Sequence, residues 1–189
     1  MNAPCARCPS PEPIDQKPRS GRRRLLLVGF PNTGKSTFFN RLTGLSQRVG
    51  NWPGLTVELA SAKVLLGSQM VEVVDLPGIN DLSGYSDDEA VVRDVLRQTE
   101  SDGLVVLLNA TQLDRQLRLA LQLQATGIPM VLLLNMADEA RRFGVEIEVE
   151  KLSAQLGVPV VAVSARKGDN WQQAIQDAVM ASIVRPTVA

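Results

Sequence analysis

No histidine occurs in the chain, and cysteine occurs only at Cys5 and Cys8. A closed zinc site needs a full set of nitrogen and sulfur ligands, so a lone Cys-x-x-Cys pair without histidine cannot build one within one molecule. A redox or intermolecular metal role for the pair stands beside the simpler reading of two reduced thiols in a tail. Long apolar runs are missing too: none approaches the ~20 residues that span a bilayer, and no amino-terminal segment has the apolar centre of a signal peptide. Nor is there an excess of one charge. The 20 basic and 20 acidic residues balance, which removes any general attraction to nucleic acid or anionic lipid. No internal repeat is evident. What is present is 189 residues, 44% of them hydrophobic, enough to bury one sizeable core. A cytoplasmic domain is expected.

Residues 1–22 are rich in proline, polar and basic residues without periodicity, and read as a disordered leader. Residues 185–189 read as a tail, leaving residues 23–184 for the folded domain. Arg22, Arg23 and Arg24 read as a solvated approach to the first strand, with a brush against a membrane surface as the weaker alternative.

Inside these limits short apolar runs alternate with helical stretches. The runs are Leu25–Val28, Val71–Val74, Leu104–Leu108, Met130–Leu134 and Val158–Val163. Between them Leu113 to Ala125 carries Leu113, Leu117 and Leu121 at helical spacing. Val57 to Leu66 reads as an extra strand, paired as a hairpin with Gln69–Val74 across Gly67-Ser68. A last amphipathic helix, Trp171 to Ile183, would pack Ile175, Val179 and Ile183 on the sheet. The expected fold is α/β: a P-loop NTPase with a Ras-like, six-stranded, mostly parallel sheet flanked by helices, and one antiparallel edge strand.

The chemistry starts at Gly29-Phe30-Pro31-Asn32-Thr33-Gly34-Lys35-Ser36-Thr37, a complete G-x-x-x-x-G-K-[ST] phosphate loop. An apolar strand precedes it and a helix from Lys35 to Leu42 follows, as the motif requires. Loop N–H groups cradle phosphates, the Lys35 ammonium reaches the outer ones, and the Ser36 hydroxyl is a Mg²⁺ ligand.

Asp75-Leu76-Pro77-Gly78 has the D-x-x-G form of a switch region. Asp75 would hold Mg²⁺ through water, and the Gly78 N–H would meet the terminal phosphate. Thr56 lies between loop and switch, where a GTPase places the threonine that ligates Mg²⁺. Asn135-Met136-Ala137-Asp138 has the N-x-x-D form that reads guanine. A carboxylate at Asp138 accepts from the guanine ring N–H and its exocyclic amine, a donor pair that adenine lacks. Asn135 would tie this segment to the phosphate loop. Ser164-Ala165-Arg166 fits the last such motif, with the Ala165 N–H toward the guanine carbonyl oxygen.

Gln47-Arg48-Val49-Gly50-Asn51-Trp52-Pro53-Gly54-Leu55-Thr56-Val57-Glu58 resembles the first switch of the FeoB-type bacterial ferrous-iron transporter. Asp75-Leu76-Pro77-Gly78, Met136 within N-M-x-D, and Leu156-Gly157-Val158-Pro159-Val160-Val161 match it as well. The likeness runs from about Arg24 to about Ala178, and N-W-P-G-x-T is its most specific part. It implies the cytosolic amino-terminal G domain of that transporter, in the TRAFAC class of Era-like GTPases, acting on GTP with Mg²⁺ and serving a membrane partner. The family's helical spacer and membrane-embedded portion are not in this chain, which leaves a cut piece or a naturally reduced protein, and self-association through an uncovered apolar surface, as open alternatives.

The resemblance also implies a K⁺ site. Asn32 matches the asparagine that donates its side-chain oxygen to K⁺ in potassium-activated GTPases, and Gly50, Asn51 and Trp52 match the segment whose carbonyl oxygens complete it. Trp52 is expected outside the core and exposed in one nucleotide state. Ras-type enzymes orient water with a glutamine just after D-x-x-G, where this chain has Ile79. An aliphatic side chain cannot polarise water, so either backbone groups position it or hydrolysis is slow. Arg48, near the switch, reads as a surface residue rather than an arginine finger. Lys35, Thr56 and Gly78 are then the candidate catalytic residues. Iron itself is not expected to bind a chain without histidine. A ribosome-assembly GTPase would carry the same loop but usually adds a basic RNA-binding module, which is not visible here. A GTP sensor that barely hydrolyses is the third reading.

Overall fold

In a computed structural model the protein is described over residues 23–44, 48–52, 57–98, 101–163, 176 and 179, the side chains of 48 and 51 excepted. Strand β1 (Arg23–Gly29) leads through the phosphate loop into α1 (Lys35–Thr43). Then follow β2 (Arg48–Asn51), β3 (Glu58–Leu66), β4 (Gln69–Asp75), α2 (Asp87–Gln98) and β5 (Gly103–Asn109). After a 3₁₀ turn (Ala110–Gln112) come α3 (Leu113–Gln124), β6 (Met130–Asn135), α4 (Ala137–Arg142), α5 (Val149–Leu156) and β7 (Val160–Ala162).

The strands form one sheet in the order β2-β3-β4-β1-β5-β6-β7. Neighbours from β4 to β7 are parallel, while β3 runs against both β4 and β2. The sheet therefore has seven strands where six were expected. The additional one, β2, is a four-residue edge of sequence Arg-Val-Gly-Asn, which has no alternation of apolar and polar positions. It is held by backbone pairing to β3, with Val49 opposite Ala60. The β3–β4 hairpin is as the sequence predicts: Leu66 pairs with Gln69 across a turn whose Gly67 sits at φ 60°.

The central strands β1, β5 and β6 are buried almost throughout because helices cover both faces, which is why they read as unbroken apolar runs. Alternate residues divide between two cores. Leu26 and Val28 face Val92 and Val95 of α2 and Leu119 and Leu123 of α3. Leu25 and Leu27 join Phe38 and Phe39 of α1 and the helical Val179. Ile175 and Ile183, expected beside Val179, lie outside the described residues. On α3 the buried face is Gln116, Leu119, Ala120 and Leu123, while Leu121 is exposed. In a leucine-rich helix several stripes have helical spacing, and contact with the sheet selects among them.

Two expectations need correction. Arg24 is not a solvated approach residue: it lies within β1 and is 1% exposed. The Arg24↔Glu72 register places Glu72 beside it, and Arg24 Nε and Nη2 donate to Glu72 Oε2 at 2.9 and 2.7 Å. Trp52 is not outside the core either. It is 1% exposed, packed with Leu59, Val74 and Leu76, and the Arg24 guanidinium lies 5.4 Å from its ring centroid. An indole offers a large apolar area and a negative π face, so the sheet face and a buried cation together outweigh the loop's tendency to stay in water.

Candidate functional site

The phosphate loop connects the carboxyl end of β1 to α1, where the strand order turns back on itself between β4 and β5. Its shape depends on left-handed backbone at Asn32 (φ 61°) and Gly34 (φ 86°). Asparagine tolerates this region and glycine pays nothing for it. A loop alternating between right- and left-handed residues turns successive N–H groups to one side and makes an anion cradle. Pro31, Asn32, Ser36 and Thr37 are exposed at its rim, whereas Thr33 is buried and its Oγ1 donates to the Phe30 carbonyl at 2.9 Å. At Gly29 a Cβ would collide with the Leu107 carbonyl of β5, so the strand can leave the sheet here only as glycine.

Lys35 Nζ lies 2.8 Å from Asp75 Oδ1, at the end of the neighbouring strand β4. Burial pushes the Asp75 carboxyl up from its ordinary value, and the Lys35 charge and hydrogen bond offset part of that. The two residues named for the outer phosphates and for Mg²⁺ are thus in direct contact. Gly78 lies against the loop itself: a Cβ there would sit 3.0 Å from Pro31 N and Cα. Leu76 N donates to Leu27 O and Ile79 N to Gly29 O, both at 3.0 Å, so the D-x-x-G segment continues the β1 ladder past the end of β4. Ile79 is 1% exposed and packs in the core.

Asn135 and Met136 stand at the end of β6, with Asp138 in the first turn of α4. Asn135 is 2% exposed, and its Nδ2 donates to the Thr33 carbonyl at 2.7 Å. Met136 adopts φ 60°, turning the chain directly into α4. Ala137 N donates to Val163 O at 3.4 Å, which places the end of β7 beside this turn. Ser164, Ala165, Arg166 and Thr56 lie outside the described residues. Gly50 is a buried β2 residue and Trp52 follows that strand. The structure thus places Gly29, Asn32, Thr33, Gly34, Lys35, Ser36, Thr37, Asp75, Gly78, Asn135, Met136 and Asp138 at the carboxyl ends of β1, β4 and β6. Asp75, Lys35, Ser36 and the loop amides are the donor set that a Mg²⁺-bound phosphate chain requires, so the residues fit both groups.

Sequence reading missed what holds the segment after Gly78. Asp81 Oδ1 accepts from Gln122 Nε2 and from Ser83 N, each at 2.8 Å, and Leu82 N donates to Gln122 Oε1 at 2.9 Å. From α2, Arg93 donates to the carbonyls of Leu82 and Gly84. No local motif marks Gln122, because its partners lie about 40 residues upstream.

The segment ends in a capping box: Ser86 N donates to Glu89 Oε2 at 3.0 Å and Glu89 N to Ser86 Oγ at 3.3 Å. The Ser86 N–H first, and then the Ser86 side chain, hydrogen-bond the Glu89 carboxylate and hold it below its ordinary value. A lowered carboxylate adds stability above its unfolded pKa and loses it as pH falls through the folded one. Glu89→Gln is therefore expected to melt earlier than the parent at pH 7, with the difference closing on acidification below the ordinary glutamate range. Thermal melts at neutral and acid pH check this.

The sequence matches the family of ferrous iron transport protein B over residues 23–178. It is 50% identical over 154 residues to the Fe(2+) transporter FeoB of Synechocystis, covering 82% of this chain and 25% of that protein. Its fold superposes with a TM-score of 0.78 on a mutant S. thermophilus NFeoB bound to GDP, at 44% identity, covering 88% of this chain and 65% of that one. The FeoB G-domain from Methanococcus jannaschii gives a TM-score of 0.76 at 36% identity, covering 87% of this chain and 99% of that one. The chain thus spans about a quarter of the length of the Synechocystis transporter. Among the described residues no helix is long and apolar enough to cross a membrane.

Proposed function

This chain belongs to the family of ferrous iron transport protein B, and from that premise we propose that it is a GTP-binding and GTP-hydrolysing switch domain regulating ferrous iron uptake through a membrane-embedded partner. The observation that carries the reading is the Asn135–Thr33 hydrogen bond, which fixes the N-x-x-D turn against the phosphate loop. It supports reading Asp138 and the loop amides as the two ends of one nucleotide site. The GDP held by the S. thermophilus relative supports the same ligand class.

The amides of the loop and Lys35 bind the phosphates, and Asp138 with the Ala165 N–H selects guanine over adenine. Ser36, Thr56 and, through water, Asp75 would hold Mg²⁺, which when bound would neutralise charge on the outer phosphates. On phosphate binding Lys35 would exchange its contact with Asp75 for the outer phosphates, and the freed carboxylate would be available to hold the ion. The Gly78 N–H stabilises the terminal phosphate. Because Ile79 is in the core, no side chain at that position orients water, and backbone groups of the first switch take the task. Asn32, Gly50 and Trp52 are the residues that would hold K⁺, whose charge would offset the charge developing on the phosphates. The domain works at the cytoplasmic face of the bacterial inner membrane.

Phosphate release from GTP in KCl against NaCl, with ATP as control, tests this. Turnover of GTP that is faster in K⁺, with none from ATP, is the expected result. The burial of Ile79 favours one other reading, a GTP sensor with negligible intrinsic hydrolysis. Tight GTP binding with no release in either salt would establish that reading instead.

A further inference from the structure

The segment from Ile79 to Ser86 opens with an aliphatic residue where Ras-type enzymes place glutamine, and it is fastened from both sides. Upstream, the Ile79 N–H is fixed on Gly29 O at 3.0 Å. Downstream, one side chain of α3 bridges the segment at two points: Gln122 donates to Asp81 and accepts from Leu82 N. Arg118, one helical turn earlier and largely exposed, adds a 3.1 Å ion pair to Asp81 Oδ2. Gly78 directly precedes the Ile79 anchor and follows Leu76, whose N–H is fixed on Leu27 O at 3.0 Å, and the clamp begins at Asp81, just beyond. If catalysis depends on a backbone amide rather than on a side chain, the orientation of that amide is what the flanking anchors determine.

We infer that Gln122, with Arg118, is a positioning residue for the GTP site, holding Asp81 and Leu82 so that the Gly78 amide stays aimed at the terminal phosphate. This rests on the reading of the site as a GTPase. Gln122 touches neither the phosphate loop nor Asp138 in the hydrogen bonds described, so ground-state nucleotide binding is left to residues it does not reach. A hydrogen bond to a charged group is among the stronger ones, and losing two at once in a partly buried place frees the segment.

The test uses Gln122→Met, which keeps the length of the side chain and removes both bonds. Expected are a kcat for GTP lowered about tenfold with KM and GDP affinity within about twofold of the parent, and amide exchange at Leu82 faster by about tenfold or more. Fast exchange at Leu82 with an unchanged kcat would overturn the positioning role. Unchanged exchange would overturn the clamp itself. A loss of kcat that comes with an equal loss of GDP affinity would assign Gln122 to folding alone. A parent chain that binds but does not turn over GTP would remove the GTPase reading. The clamp is then read from the ratio of GTPγS to GDP affinity, expected to fall about tenfold in Gln122→Met, and an unchanged ratio overturns it.

Discussion

Gly34→Ala is expected to weaken GDP and GTP binding about a hundredfold while leaving the chain folded. Gly34 sits at φ 86°, where a Cβ would stand 2.5 Å from Asn135 Nδ2. An alanine in left-handed backbone costs about 1–2 kcal/mol. Moving Asn135 aside breaks its bond to Thr33 and strands a buried amide, for a further ~1–3 kcal/mol. Both costs fall on the binding-competent loop, so they appear as lost affinity, at ~1.4 kcal/mol for each factor of ten. Titration with a fluorescent guanine nucleotide measures it. Gly44→Ala is the matched control: that glycine also has positive φ (60°) but open space where its Cβ would be. It should lose about 1 kcal/mol of stability and no affinity. Equal affinities for the two variants would show that the loop is not held by Asn135.

Glu72→Ala is expected to give the largest loss of stability, about 3 kcal/mol. Its carboxylate receives two bonds from Arg24, whose side chain is 1% exposed while that of Glu72 is 19% exposed. Removing one partner of a buried pair leaves a charge in low dielectric, which costs about 3–5 kcal/mol. The partial exposure of Glu72 lets some water in and puts the effect at the lower end. At roughly 2–4 °C per kcal/mol for a domain of this size, the melting temperature should fall by about 6–12 °C. Arg24→Met combined with Glu72→Leu removes both charges and should recover most of the loss, since replacing a buried pair with apolar side chains is often neutral. Melts of the parent, Glu72→Ala and the double variant decide it. A double variant no better than Glu72→Ala would mean that the guanidinium matters for more than this pair, most simply for its place over Trp52.

The contrast between these residues shows what was legible beforehand. The phosphate loop, the D-x-x-G segment and N-x-x-D each fold from their own few residues at the end of an apolar strand, so their placement could be read locally. The Asn135 tie was legible as well, because the motif carries its geometry. Arg24 and Trp52 were not. A basic residue after a basic stretch and an aromatic beside proline both look solvated until β4 brings Glu72 alongside β1. The same holds for β2, whose four residues pair only because β3 offers an edge, and for Gln122, one polar residue among leucines of α3 whose partners lie on a distant loop. Local chemistry marks where a ligand meets the chain, while long-range pairing decides what keeps that place still.

The hydrogen bond between Asn135 and Thr33 joins segments 102 residues apart in the chain. In ligand terms it makes a chelate. A base fragment and a phosphate fragment each hold one end weakly, but a molecule carrying both meets its second contact as an intramolecular event at high effective concentration. Since the spacing of the two ends is set before the ligand arrives, little of that advantage is spent on ordering the protein. Guanosine and inorganic pyrophosphate should each bind poorly, and GDP should bind far more tightly than either alone.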